Sequence, residues 1–229
     1  NKHMGSARAC GGCSNKNNKF FKLILRDKIA RLEAFLIGSF FFIIPIHTSA
    51  QKSNNTPYLI VLGTVQDGGS PHLGCSKNCC EALTVFQKEA RKVTSIAVIE
   101  PKNNFNILFE ATPDIISQWK MLPSAPKAIF LTHAHMGHYT GLLQLGREAL
   151  DARNIPVYVM PRMAVFLKEN GPWSQLISLE NIKLFPMAHN ESVNFTSEII
   201  ITPLIVPHRD EFSETVGYRI QGPLSLIHI

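Results

Sequence analysis

Leu131-Thr132-His133-Ala134-His135-Met136-Gly137-His138-Tyr139-Thr140-Gly141-Leu142 is the stretch on which the reading of this chain turns. Three histidines follow directly on the apolar run Ala128-Ile129-Phe130-Leu131. Such a run reads as a buried strand, and residues two apart leave a strand end pointing the same way. His133 and His135 are therefore predicted to converge on one metal ion. His138 is offset, towards a second ion or a bound substrate. Neutral imidazole is the commonest metal ligand among side chains, and three of them leave a fourth position open for water. Gly141 and the stripe Leu142, Leu143, Leu145, Ala149 and Leu150 predict a helix that starts just beyond the loop.

The third ligand has to come from elsewhere. His208, in Ile205-Val206-Pro207-His208-Arg209-Asp210, again sits at the end of an apolar strand, and is predicted to join His133 and His135. His189 is a weaker candidate, and Asp210 reads either as a residue orienting a ligand from behind or as a solvated charge. Upstream, the strand Tyr58–Gly63 runs into a Gly/Pro loop, Thr64 to Pro71, where backbone can approach a ligand closely. Asp67 in that loop joins His138 as a candidate catalytic group. Just after it, His72, Cys75, Cys79 and Cys80 have spacings that suit a structural zinc. The same cysteines suit one disulfide, Cys75 to Cys79 or to Cys80.

The chain has 229 residues and a formal net charge of +6. Residues 1–50 hold eight Lys/Arg against two Asp/Glu, whereas residues 51–229 hold fifteen of each. The body is neutral and offers no electrostatic footprint for nucleic acid. The basic N-terminal part leads into a short apolar run, Ala34 to Ile46, and then His47-Thr48-Ser49-Ala50. That order is the order of a signal peptide, with cleavage expected after Ala50. The apolar run is short of the roughly 20 residues that span a bilayer, so no stable membrane anchor is expected after cleavage. The domain reading is therefore upstream residues and a signal peptide over 1–50, with an exported, periplasmic or secreted body from residue 51.

Along the body, helices are predicted over Glu81–Arg91, Pro113–Lys120 with Thr112 as N-cap, and Pro161–Glu169. Strands are predicted at 94–100, 106–110, 128–131, 157–160, 181–185, 197–206 and 215–221. Strands first, then β-α-β-α, then more strands suits an α+β domain with mixed sheets and helices outside.

The histidine loop with Gly141-Leu142 resembles the His-x-His-x-Asp-His signature of the metallo-β-lactamase superfamily. Leu62 to Gly69, the Gly74-Cys75 run to Cys80, and Val206-Pro207-His208 with Thr215 to Ile220 are similar to the branch around pyrroloquinoline quinone biosynthesis protein B. The resemblance implies a four-layer αββα sandwich over residues 51–223, with the site at one edge between the sheets. It implies that His133, His135 and His208 hold the first metal and that His138 belongs to a second. The departure is Gly137, where the pattern has an Asp that helps hold the second ion. One zinc with three histidines and a water is the expected centre, with iron as the alternative metal. Residues 224–229 resemble a translated sequencing adaptor, so they are read as an artefactual tail on a domain incomplete at its C-terminus. The function expected from the resemblance is a zinc hydrolase that uses metal-activated water on a small-molecule substrate. The alternatives are an iron-dependent oxygenase and an inactive fragment or binding module.

Overall fold

A computed structural model describes residues 55–223 and 226–228. The expected signal peptide, with Cys10 and Cys13, lies outside the described residues. Among the described residues no helix is long and apolar enough to cross a membrane.

The elements run in the order β1 (Tyr58–Gly63), α1 (Asn78–Glu81), α2 (Val85–Glu89), β2 (Ser95–Glu100), β3 (Phe105–Phe109), α3 (Ile115–Trp119), β4 (Ala128–Phe130) and α4 (Met136–Tyr139). They continue with β5 (Ile155–Val159), α5 (Pro161–Glu169), α6 (Trp173–Ser178), β6 (Ile182–Pro186), β7 (Val193–Asn194), β8 (Ile200–Ile205), β9 (Val216–Gln221) and β10 (Leu226–His228). A six-stranded sheet takes β1 to β6 in sequence order, and a four-stranded sheet has the order β10-β9-β8-β7. β1, β2 and β3 are antiparallel neighbours. From β3 to β6 every pairing is parallel.

Strand alternation decides what each face meets. In β3, Ile107 and Phe109 point to the smaller sheet while Leu108 points to the helices. β4 repeats this, with Ala128 and Phe130 on the inter-sheet face and Ile129 on the helical face. Both faces of these strands are buried, which explains their unbroken apolar sequence. Between the sheets, Phe109, Phe130 and Tyr218 pack ring on ring with centroids 5.2–5.4 Å apart. On the opposite face of the larger sheet, residues of α3, α5 and α6 complete a second apolar core. This is the αββα sandwich architecture, and the described residues supply a helical layer and both sheets.

Several local expectations change. The helix predicted over Glu81–Arg91 shortens to α2, with α1 ending at Glu81, because Thr84 caps a new start: Gln87 N donates to Thr84 Oγ1 at 3.2 Å, and Thr84 N to Gln87 Oε1 at 2.9 Å. Thr112 is not the cap residue of α3; the cap position is Asp114, whose N donates to Thr112 Oγ1 at 3.0 Å, while Thr112 Oγ1 donates to buried Gln118 Oε1 at 2.6 Å. After the histidine loop the helix begins inside the motif, at Met136, and continues as a 3-10 turn over Thr140–Leu145. Gly141 explains the irregularity: its N donates to Ala111 O at 2.8 Å, and a Cβ there would lie 2.1 Å from Thr112 O. α6 and β7 have no counterpart in the sequence reading. Residues 226–228, read as part of a tail, pair antiparallel with β9 as the edge strand β10.

The sheets are pinned together where β4 ends. Tyr218 Oη donates to Leu131 O at 2.6 Å, and Val216 N donates to Thr132 O at 3.2 Å. Burial, with the Glu110 charge nearby, raises the Tyr218 pKa well above that of an ordinary phenol, so it remains a donor. Tyr218→Phe leaves the buried Leu131 carbonyl without this donor and is expected to cost about 1–2 kcal/mol. Urea unfolding of the two proteins measures it as a lower midpoint with an unchanged slope.

Candidate metal centre

The centre is built on two strand ends, one from each sheet. β4 delivers Thr132 to His138, and β8 delivers His208. His133 Nε2 lies 2.8 Å from His135 Nδ1, and His208 Nε2 lies 3.3 Å from the same atom. One nitrogen from each of the three rings falls within 4.8 Å of the others. Among the described residues, this is the only group of three or more His, Cys, Asp or Glu that converges in this way.

The other ring nitrogens are held from behind. His133 Nδ1 is 2.8 Å from Thr132 Oγ1, and His135 Nε2 is 3.1 Å from Glu211 Oε2. An oxygen behind each of these two imidazoles fixes its orientation, a common arrangement around metal-binding histidines. His133 is 7% exposed. Burial, then repulsion from His138, His135 and His208, lowers its pKa to about 3. It is therefore neutral at ordinary pH, the form that binds a metal. The donor set, geometry and protonation fit a divalent ion such as zinc or iron.

A loop straps the third histidine onto this floor. Ala134 N donates to Ser213 Oγ at 2.8 Å. Arg162 Nη2 donates to Asp210 O at 3.0 Å, and Arg162 N to Glu214 Oε2 at 3.0 Å. Asp210, considered as a residue behind a ligand, faces Arg162 instead, with carboxylate and guanidinium 3.9 Å apart. The orienting carboxylate is the next residue, Glu211. His189 lies away from the centre, where its Nδ1 accepts from Ile205 N at 3.0 Å.

His138 sits beside the triad, its ring centroid 4.2 Å from that of His133. Its Nε2 is 3.1 Å from Asp67 Oδ1, and its Nδ1 is 3.4 Å from Glu110 Oε2. Burial opposes a charge on His138, but the bonds to Asp67 and Glu110 outweigh it and raise its pKa to about 10. The same contact holds the Asp67 carboxyl down at about 2. Glu110 is absent from the sequence reading. It is 5% exposed, adopts φ +75°, and accepts from Thr132 N at 3.2 Å. A left-handed backbone is uncommon for such a residue and marks a position set by its surroundings. The one sequence signal for it is an acid closing an otherwise apolar strand.

The proposed zinc set of His72, Cys75, Cys79 and Cys80 does not assemble. His72 Nδ1 turns to Leu73 O at 2.9 Å. Cys79 is disulfide-bonded and so has no thiolate to offer. The Cys75 and Cys80 sulfurs lie 2.7 Å apart. The disulfide alternative, Cys75 to Cys79 or Cys80, does not form either: the Cys75 thiol donates to Cys80 Sγ, and the disulfide of Cys79 is made with neither of them.

Three imidazoles converging where two stacked sheets meet give an αββα protein a set of side chains that could hold a metal ion. A beta-lactamase superfamily domain matches residues 105–228, and the chain belongs to that superfamily. No curated protein matches the chain in sequence. Among solved structures, zinc-bound PqqB from Methylobacterium extorquens aligns with a TM-score of 0.62 at 22% identity, covering 74% of this chain and 63% of its own. A diphosphatase of the PhnP family aligns with 0.56 at 24% identity, covering 72% and 62%. YhfI from Bacillus subtilis, a metallo-β-lactamase fold protein, aligns with 0.51 at 14% identity, covering 75% and 61%. The chain thus spans a little over three-fifths of the length of each.

Glu211→Gln keeps the size of the side chain but removes the charge behind His135. The expected outcome is a roughly 10-fold or greater loss of zinc affinity with an unchanged fold. Competition with a chromophoric chelator, alongside circular dichroism, measures both.

Proposed function

We propose that this protein is a metal-dependent hydrolase, with His133, His135 and His208 holding a zinc ion. The observation that supports this most directly is the convergence of three ring nitrogens from two separate sheets. Bound zinc lowers the pKa of a coordinated water to about 7 and polarises a carbonyl or phosphoryl oxygen.

The chain's own residues prepare that chemistry. His133 is held neutral because burial and neighbouring imidazoles disfavour its charge. Thr132 and Glu211 hold His133 and His135 in the orientation that keeps one nitrogen of each turned inward. Asp67 and His138 form a polar wall next to His133, where they bind and orient the reacting group. His208 is exposed, so the centre opens to solvent on the side of the β8 loop.

The substrate is a small molecule with a hydrolysable carbonyl or phosphoryl centre. The equal numbers of basic and acidic residues over 51–229 favour this over nucleic acid, which needs a positive surface. The charged and apolar order of residues 1–50 supports export to the periplasm or beyond. Histidine ligands suit iron as well as zinc, and metal analysis of protein purified without oxygen distinguishes them.

His133→Ala and His208→Ala are each expected to lose the tightly bound metal ion and all hydrolysis in a screen of small esters, lactones and phosphodiesters. Mass spectrometry of bound metal and the substrate screen read the two effects separately. Tight metal binding that survives both substitutions overturns this function.

A further inference from the structure

We propose that Asp67 is a transposed ligand: from the loop after β1 it brings the carboxylate that position 137 lacks, and with His138 it holds a second divalent cation. This rests on reading His133, His135 and His208 as the first metal centre.

Gly137 carries the first observation. A Cβ built there would lie 2.5 Å from Asp67 Cα, 2.6 Å from its Cβ and 2.9 Å from its Cγ. The space a side chain at 137 would need is already filled by Asp67. Glycine at 137 and aspartate at 67 are thus two halves of one steric arrangement. The same volume beside His138 receives a carboxylate from a different part of the chain.

The geometry of His138 carries the second. Asp67 Oδ1 and His138 Nε2 are 3.1 Å apart, between the 2.8 Å and 3.3 Å that separate ligand atoms within the triad. His138 also resembles His133 and His135 in having an oxygen on the side of its other nitrogen, at 3.4 Å. Glu110 stands behind His138 as Thr132 stands behind His133 and Glu211 behind His135. An imidazole backed in this way is oriented to present its remaining nitrogen to a ligand.

The loop that carries Asp67 is braced. Val65 N donates to Lys92 O at 3.0 Å, and Thr94 Oγ1 donates to Val65 O at 2.8 Å. Gln66 closes the turn on the other side, with Nε2 donating to Gly69 O at 2.8 Å and Oε1 accepting from Gly68 N at 3.1 Å. Asp67 is therefore held against Gly137 by its own loop as well as by His138. A cation between Asp67 Oδ1 and His138 Nε2 takes the place of their direct contact. Mixed nitrogen and oxygen donors suit zinc, iron or manganese, and two protein ligands leave further positions to water or substrate.

The test is zinc titration with bound metal counted by mass spectrometry, supported by the absorption spectrum of the cobalt-substituted protein. It uses the wild type, Asp67→Asn, Gly137→Asp and the double variant Asp67→Gly/Gly137→Asp. The wild type is expected to take up a second, weaker equivalent after the first. Asp67→Asn loses that second equivalent and keeps the first. Gly137→Asp alone lowers the melting temperature because two side chains compete for one space. The double variant, with the carboxylate moved to position 137, regains stability and the second equivalent. A wild type that saturates at one equivalent, or an Asp67→Asn variant that still takes up two, overturns the proposal and leaves the hydrolase reading standing. A double variant that folds but binds only one ion overturns the transposition. A wild type that binds no metal overturns both readings.

Discussion

The end of β4 is the point on which the sandwich and its site both depend. Three consecutive backbone groups there have named partners. Leu131 O accepts from Tyr218 Oη, Thr132 N donates to Glu110, and Thr132 O accepts from Val216 N. Tyr218 and Val216 belong to the smaller sheet, so these bonds fix one sheet against the other at the residue before His133. A strand end left without partners inside a protein would be costly, because buried backbone groups require hydrogen bonds. Here the bonds that remove that cost also aim His133, the first histidine of the converging triad.

Glu110 links this constraint to the chemistry. Its carboxylate accepts from the Thr132 backbone and also faces His138 Nδ1, while its own N donates to Phe130 O at 2.8 Å. A buried carboxylate is tolerable only when its charge and lone pairs are satisfied. The backbone amide and the imidazole do so together. In this way β3, β4 and the histidine loop share one acidic group, and a disturbance at any of them reaches the others.

Much of the architecture was legible from local pattern. β3, β4, β8 and β9 lie within a few residues of their expected bounds, because apolar runs in β3, β4 and β8 and apolar alternation in β9 both mark buried strand faces. α5 begins at Pro161 and ends at Glu169 as expected, since proline at the first helical position needs no intrahelical donor. The weaker expectations depended on choices between close alternatives. Thr84 and Thr112 are both able to cap a helix; Thr84 does so with Gln87, whereas Thr112 stands two residues before the cap position Asp114. The Cys75 to Cys80 segment has a spacing compatible with either zinc or a disulfide, and spacing alone does not say where the sulfurs point.

The sequence by itself singled out the three histidines whose rings converge. His133 and His135 follow from the two-residue period of a strand end, and His208 from the same logic at β8. It also showed that position 137 lacks a carboxylate. Only the tertiary structure decided which acids surround the centre. Asp67 is 71 residues from His138, and Glu211 is 76 residues from His135. No periodicity relates residues that far apart; they meet because the packing of two sheets brings three loops to one edge. The physical reason is one of range: backbone geometry sets where a side chain points over a few residues, whereas its charged neighbours depend on the path of the whole chain.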